Sequence, residues 1–304
     1  MDDLPKTMAP FIRWLKWVFS VLALGSISVF AWLSHTQILQ VFQERDTSLL
    51  VASMVAWALL HTVSPLTNRW LFQSIGHSLA YSNTLSIHIR NLPAKYLPGG
   101  IWHSVARVVN YAELGIPKRD IGAYVVVENL LIAATALGLG GALTLLTSAP
   151  TGVWYWIILG LVLASTVVFL ALPFMGASRG MTLKPMWYGG TFLLNTGYWA
   201  LTALSFALFM QALPGATSGD AQVSLGGVYI FSWGIGFITP FAPQGIGVSE
   251  AVSSQLIHSD LSGGSLFVLV ASFRVVVLCG DLSVWLAFWI YWALRSRIQA
   301  LRRK

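Results

Sequence analysis

Residues 239–250 read Thr239-Pro-Phe-Ala-Pro-Gln-Gly-Ile-Gly-Val-Ser-Glu250, and this stretch decides the fold. It separates two apolar runs, residues 228–238 and 248–257. Its two prolines lack backbone N–H donors, and its two glycines permit backbone angles that other residues avoid, so no continuous helix passes through it. Neither flanking run can cross a bilayer alone, because a crossing takes about 20 residues. We therefore predict a helix that goes into the membrane, breaks and returns to the same side.

A similar break lies earlier in the chain, where residues 96–107 read Tyr96-Leu-Pro-Gly-Gly-Ile-Trp-His-Ser-Val-Ala-Arg107. Irregular backbone at membrane depth is tolerated only where it is buried in protein or lines a wet cavity. Paired segments interrupted by Gly and Pro, at corresponding places in two halves of a chain, point to the binding site of a transporter. We name residues 79–111 the first broken segment and residues 223–258 the second broken segment.

The composition predicts an integral membrane protein. Of the 304 residues, 56% are apolar and only 10% are charged, whereas a soluble domain carries about 25% charged residues. We expect a single transmembrane domain, residues 1–304, with no room for a sizeable soluble catalytic domain. The one cysteine, Cys279, excludes a disulfide within the chain. The net charge of +7 does not require a nucleic-acid partner, because most of the basic residues flank apolar runs, where topology explains them.

Six apolar runs are long enough to span a bilayer: residues 14–33, 49–70, 121–146, 153–175, 187–213 and 266–294. Both termini are rich in basic residues, so both are expected in the cytoplasm, which requires an even number of full crossings. Six crossings meet this condition if both broken segments are re-entrant. The cytoplasmic side then receives these further basic residues: Arg69, Arg90, Lys95, Lys118, Arg119, Arg179 and Lys184.

The predicted fold is thus all-α, with six full transmembrane helices and two oppositely oriented re-entrant helical hairpins. Residues 1–150 and 151–304 each comprise two spans, a hairpin and a further span, which is an inverted-topology repeat with both breaks near the midplane. The alternative is that both broken segments cross fully as kinked helices. That arrangement gives eight crossings and moves Lys118 and Arg119 outside, against the distribution of positive charge.

Five ionisable residues at predicted membrane depth are candidates for function: Arg107, Glu128, Glu250, Arg274 and Asp281. A charge at that depth is costly and is usually functional, although mutual neutralisation for structural reasons is the alternative. Glu250 is a candidate partner for Arg274. The helices that follow the two breaks have N-termini pointing into the membrane, and such ends suit a phosphate. With Arg107 and Arg274, they predict one locus for a phosphate-bearing headgroup.

Two other features of the sequence allow more than one interpretation. The glycines of Gly138-Leu-Gly-Gly141 favour close helix packing over a nucleotide-binding loop, because no soluble strand–helix unit surrounds them. His103 lies four residues before Arg107 and could share its helix face, either as a proton relay or as an ordinary interfacial histidine. The remaining histidines show no spacing typical of a metal site.

These residues resemble the flippase-like membrane domain of the lysylphosphatidylglycerol synthase family. The first family motif, a Leu-Pro-Gly stretch followed by an arginine, is matched by residues 97–100 and Arg107, and the glutamate of the next helix by Glu128. The family's Pro-x-Pro-Gly-Gly-Leu-Gly-Val-Arg-Glu-Ala motif and its late arginine are matched by Pro243, Gly245, Gly247, Val248, Glu250, Ala251 and Arg274. The chain departs from the family at Gln244, where the motif has glycine, and at Ser249 and Asn129, where arginine is found. The resemblance implies translocation of a lipid or a lipid-linked glycan, without the aminoacyl-transferase activity of the fused synthases.

The predicted function is therefore a transporter or flippase for an anionic lipid or a polyprenyl-phosphate-linked substrate. A secondary transporter of a small soluble anion and an intramembrane enzyme acting on lipid phosphates are the alternatives. We expect no catalytic residues, metal or cofactor, and a location in the plasma membrane of a bacterium or archaeon. The predicted substrate-binding residues are Pro98, Gly99, Gly100, His103, Arg107, Glu128, Pro243, Gly245, Gly247, Glu250, Arg274 and Asp281.

Overall fold

A computed structural model of the chain describes residue 32 and residues 35–96, 102–178, 183–213, 215–216, 222–240 and 242–301. The regular structure of these residues is helical throughout. The predicted span 14–33 lies almost wholly outside them, as do Pro98, Gly99 and Gly100. The helices are α1 (His35–Gln43), α2 (Thr47–Ser74), α3 (Tyr81–Arg90), α4 (Trp102–Glu113), α5 (Lys118–Thr147), α6 (Val153–Ser178), α7 (Pro185–Gln211), α8 (Gln222–Ile238), α9 (Val248–Leu256) and α10 (Gly263–Leu301), with 3₁₀ turns at Leu92–Tyr96 and Pro243–Gly245.

Five of these helices, α2, α5, α6, α7 and α10, are long and apolar enough to cross a membrane. They cover the five later runs predicted from the sequence, with ends that differ by a few residues. The protein is therefore an all-helical integral membrane protein. Helix α8 is apolar but has only 17 residues, about 25 Å at 1.5 Å per residue, which is short of the roughly 30 Å hydrocarbon core.

Contacts between distant parts of the chain define one end of the molecule. The amide of Lys184 donates to the carbonyl of Ser74 over 2.9 Å, which brings the start of α7 to the end of α2. The Phe72 and Tyr111 rings lie 4.6 Å apart, so the end of α4 meets the same end of α2. We call this the Ser74 end; it also holds His77, whose Nε2 lies 2.7 Å from the Asp120 carboxylate at the start of α5.

The opposite end, which we call the Asp46 end, is defined in the same way. The amide of Asp46 donates to Ala212 over 2.8 Å, Ser148 and Ser224 hydroxyls lie 2.7 Å apart, and the Ser259 hydroxyl donates to Ala216 over 2.8 Å. Asp46 also caps α2, accepting from the Ser48 hydroxyl over 2.6 Å and from backbone amides. The hydrogen bonds, chiefly that from the Ser48 hydroxyl, lower the pKa of Asp46 below its ordinary value.

Helices α2 and α7 pack antiparallel along their length. The hydroxyl of Ser53 donates to the carbonyl of Ser205 over 2.6 Å, and the hydroxyl of Ser205 donates back to the carbonyl of Ser53 over 2.8 Å. Near the other end, the Trp70 and Trp187 rings meet edge to face at 5.5 Å. Reciprocal serine hydrogen bonds satisfy polar groups that lipid could not, so they fix the register of this helix pair.

Helices α5 and α8 approach through glycine. A Cβ at Gly140 would lie 2.5 Å from the backbone nitrogen of Phe231, and one at Gly227 would lie 2.8 Å from Leu143. Gly141 likewise faces α6, where an added Cβ would lie 2.7 Å from Val162. The prediction that residues 138–141 serve close helix packing is confirmed, and α8 is thereby held inside the protein rather than against lipid.

The break predicted at residues 239–247 is confirmed. Gln244, Gly245 and Gly247 adopt φ angles of 53°, 69° and 84°, in the left-handed region that favours glycine. The first broken segment differs from its prediction, because α3 ends at Arg90 and a 3₁₀ turn at Leu92–Tyr96 follows before the predicted break. Helix α3 has only ten residues, YSNTLSIHIR, most of them polar. It therefore has little apolar surface whose packing could extend the helix.

Candidate functional site

The two broken segments meet at one point. The side-chain amide of Gln244 donates to the backbone carbonyl of Lys95, so the turn of the second segment contacts the turn of the first. Arg274 on α10 joins them, with its Nη2 3.5 Å from the Gln244 carbonyl. We call Lys95, Gln244 and Arg274 the junction.

Arg274 is bound to α9 by several hydrogen bonds. Its Nε donates to Glu250 Oε1 over 2.6 Å, and its Nη2 donates to the Ser249 hydroxyl over 3.2 Å. The Glu250 side chain is buried, whereas the Arg274 side chain keeps 35% of its surface exposed. The predicted partnership of Arg274 with Glu250 is confirmed. Ser249 thus contributes a buried hydroxyl to the binding of Arg274.

Glu250 also caps its own helix. The amide of Gly247 donates to Glu250 Oε2 over 2.7 Å, as expected for an acidic residue in the first turn. A protein carboxylate therefore already accepts from one amide of the α9 N-terminus, the end that the sequence predicted to suit a phosphate. The corresponding end of α4 adjoins residues 97–101, outside the described residues.

Lys95 carries the second cation of the junction. Its ammonium contacts the carboxylate of Asp281 on α10, which is buried, and a quarter of the Lys95 side chain stays exposed. The sequence predicted Lys95 as one of the basic residues on the cytoplasmic side. The structure makes it an ion-pair partner of a buried acid, because the 3₁₀ turn brings it against the middle of α10, and its side of the membrane stays a prediction.

Asp281 accepts from three further side chains. Trp57 Nε1 lies 2.8 Å and His61 Nε2 lies 3.0 Å from Oδ1, and the Tyr96 hydroxyl donates to Oδ2 over 2.7 Å. These groups come from α2 and the first broken segment, so Asp281 ties the last helix to the first half of the chain. His61 was not among the predicted site residues, although a histidine within an apolar run is itself a signal of function.

Arg107 and Glu128 form a separate pair. The Arg107 guanidinium contacts Glu128 and donates to the Tyr124 hydroxyl over 2.8 Å, and that hydroxyl donates to Glu128 over 2.9 Å. Both charged side chains are 8% exposed, so this pair is closed on all sides. Arg107 thus pairs with Glu128 and Arg274 with Glu250, and among the described contacts none joins the two arginines, so their common locus stays a prediction.

The other predicted site residues are placed as follows. Gly245 lies where a Cβ would meet Gly236 at 2.9 Å, and Gly247 caps α9, so both serve the second turn. Pro243 begins the 3₁₀ turn of the second segment. His103 lies in α4, but its side chain is outside what the structure describes. Within the described residues, no group of three or more His, Cys, Asp and Glu could hold a metal ion.

No protein-family model matches the chain, and no curated protein matches it either. The fold and the site therefore define a class only: an all-helical integral membrane protein with charged residues buried between its helices. The resemblance to the lysylphosphatidylglycerol synthase family stays a prediction.

Proposed function

We propose that this protein is a transporter that moves an anionic lipid, or a polyprenyl-phosphate-linked substrate, between the leaflets of its membrane. The observation that supports this is the junction, where Gln244 donates to the backbone carbonyl of Lys95 and accepts from the guanidinium of Arg274. Each cation has a buried acid behind it and part of its own surface exposed. A phosphate could bind the ammonium of Lys95 or the exposed part of the Arg274 guanidinium, since both groups bind phosphate in proteins.

The surface beside the junction favours a lipid over a soluble anion. An apolar groove between α2 and α10 adjoins Arg274 in sequence and is lined by Leu50, Val51, Met54, Val275, Val276 and Cys279. Val51 and Val275 are exposed, so the groove is open along its outer edge. A headgroup at the junction would leave its acyl chain beside this apolar surface.

The broken segments are, in our proposal, re-entrant hairpins of an inverted repeat. The first leaves the Ser74 end, reaches Asp281 through Tyr96, and returns with Tyr111 against Phe72 at the Ser74 end. The second leaves the Asp46 end with Ser224, turns at Gln244, and returns to the Asp46 end, where Ser259 bonds Ala216. Two hairpins from opposite ends that meet at their turns are the arrangement that supports alternating access.

Cysteine labelling tests the topology. In a Cys279→Ser background, Thr151→Cys should react with a membrane-impermeant maleimide added outside, and Gly115→Cys should not. Both positions are exposed. Full kinked crossings would reverse this pattern and would refute the re-entrant scheme.

A lipid assay tests the function. The purified protein is reconstituted with phosphatidylglycerol bearing a fluorescent acyl chain, and dithionite quenching reports movement between leaflets. Wild type should move this lipid at least about tenfold faster than Arg274→Gln, a loss of about 1.4 kcal/mol of binding at the rate-limiting state. Arg295→Gln, an exposed arginine on the same helix, is the matched control. Labelled phosphatidylcholine and radioactive inorganic phosphate complete the test, because uptake of free phosphate with no lipid movement would favour the soluble-anion transporter instead.

A further inference from the structure

Five aromatic rings in the last part of α10 form a continuous cluster. The ring of Trp289 lies 6.3 Å from that of Trp285 and 6.0 Å from that of Phe288, measured between ring centres. The ring of Trp292 lies 6.2 Å from that of Phe288 and 6.2 Å from that of Tyr291. Trp289, Tyr291 and Trp292 are exposed. We call these five residues the α10 aromatic surface.

Two arginine side chains lie over this surface. The guanidinium carbon of Arg90, the last residue of α3, is 5.9 Å from the centre of the Trp289 ring, and that of Arg295 is 5.4 Å from the centre of the Trp292 ring. Both arginines are exposed, and within the described residues neither donates a hydrogen bond or forms an ion pair. A guanidinium over an aromatic ring keeps its N–H groups available to an acceptor.

The elements that carry these two arginines hold no acid near them. The sequence has no Asp or Glu in residues 47–112, which include α2 and α3, or in residues 282–304. The single acid of α10, Asp281, is in contact with Lys95. After Arg295 the sequence adds only basic charges, which are Arg297, Arg302, Arg303 and Lys304. Positive charge is therefore in excess around the aromatic rings.

This surface lies toward the Ser74 end. Helix α10 runs in the same direction as α2, because Val275 lines the apolar groove with Leu50 and, further along both helices, Asp281 binds His61. Arg295 follows Asp281 by 14 residues, about 21 Å along the helix. Tryptophan and arginine near the end of a membrane-crossing helix lie at the level of the lipid headgroups. The surface is thus at headgroup depth and separate from the junction.

We propose that the α10 aromatic surface, with Arg90 and Arg295, binds the headgroup of an anionic phospholipid from the leaflet at the Ser74 end. The lipid phosphate accepts from the guanidinium groups, and the glycerol and upper acyl chains pack on the exposed rings. A zwitterionic lipid brings its own positive charge, which the excess of basic residues repels, so the anionic lipid binds better. This lipid is held and not moved, so the inference goes beyond the proposed function. Arg295→Gln should weaken this site and leave lipid movement at the junction unchanged.

Fluorine NMR of the full-length protein, labelled with 5-fluorotryptophan and kept in detergent micelles, tests the site. Trp289→Phe and Trp292→Phe assign the two signals. Phosphatidylglycerol should shift both signals at about tenfold lower concentration than phosphatidylcholine with the same acyl chains. In the double variant Arg90→Gln, Arg295→Gln this preference should disappear, because the phosphate loses both charged donors.

A matched control removes the same charge elsewhere at the Ser74 end. Lys118→Gln combined with Lys184→Gln changes two exposed lysines and should keep the wild-type preference. Equal responses of wild type to the two lipids would overturn the proposal, and this comparison decides it even if the double arginine variant does not fold. A preference that survives without Arg90 and Arg295, or that is lost in Arg274→Gln, would also overturn it, because the lipid would then bind elsewhere. Failure of the lipid-movement assay would refute the proposed function and leave this site standing.

Discussion

The two broken segments contact each other at the junction, but different kinds of contact hold them in place. The first segment begins with α3, which has ten mostly polar residues. Side chains hold this segment: His88 lies within hydrogen-bond distance of His61, and Tyr96 donates to Asp281. The first arm of the second, α8, has 17 apolar residues, and it is held through glycine contacts with α5. The first segment is therefore held by polar side chains, whereas the second is held by close backbone packing and contributes Glu250 as its buried charged group.

The same contrast appears in the two Arg–Glu pairs. In the first half, arginine is on α4 and glutamate on the following helix α5; in the second half, glutamate is on α9 and arginine on the following helix α10. The first pair is closed, whereas Arg274 is partly exposed. We therefore expect the first pair to serve stability and the second to serve transport.

The largest effect should come from the closed pair. Glu128→Gln leaves Arg107 charged and buried, which should lower the free energy of unfolding by about 3–5 kcal/mol. Glu250→Gln should cost less, because Arg274 can turn toward its exposed side. Equilibrium unfolding of both variants in detergent measures the difference, and equal losses would remove the contrast between the pairs.

The second largest effect should come from a change in backbone geometry. Gly245→Val puts a β-branched side chain at a φ of 69° and against Gly236, and we expect a loss of about 3 kcal/mol together with loss of lipid movement. Gly263→Val, where an added Cβ meets nothing within 4 Å, is the control. If Gly245→Val stayed as stable and active as Gly263→Val, the second turn would not depend on its backbone.

Exchange of one cation for another gives a smaller effect. Arg274→Lys keeps the charge near Glu250 but loses the planar fork, so the protein should fold while lipid movement falls about tenfold. Arg107→Lys should reduce stability more than lipid movement. Full activity of Arg274→Lys would reduce Arg274 to a counter-charge of Glu250.

The smallest effect concerns the first turn. Tyr96→Phe removes one hydrogen bond of 2.7 Å to Asp281, which keeps its other partners, so a loss of about 1 kcal/mol is expected. Tyr155→Phe on exposed α6 surface is the control. A loss as large as that of Glu128→Gln would mean that the first turn is as tightly held as the closed pair.

The sequence predicted those parts of the fold that depend on local composition. The length of an apolar run is set by bilayer thickness, so α2, α5, α6, α7 and α10 were predicted within a few residues. The break at Gln244 was predicted because proline and glycine act locally. The partnership of Glu250 with Arg274 was within reach because the two residues lie on consecutive helices.

Long-range contacts were not predictable in this way. Lys95 and Asp281 are 186 positions apart, and no local pattern joins a lysine after a polar helix to an acid in the last span. His61 and His88 were overlooked because each looks ordinary until α3 folds back onto α2. The turn that brings Lys95 inward arises from tertiary contacts with α10 and Gln244, and these override the preference of lysine for a loop.

The glycine contact between α5 and α8 restricts how the molecule can move. Helix α5 belongs to the first sequence half and α8 to the second. Gly140 of α5 lies against the backbone at Phe231, and Gly227 of α8 lies against Leu143, so the two helices pack closely. If one sequence half rotated against the other, the packed contact between α5 and α8 would have to separate. The junction, by contrast, is held by the Gln244 amide on Lys95 and by side-chain ion pairs. If the protein is the transporter that we propose, the boundary between its moving parts would therefore run through the junction and not between the two sequence halves.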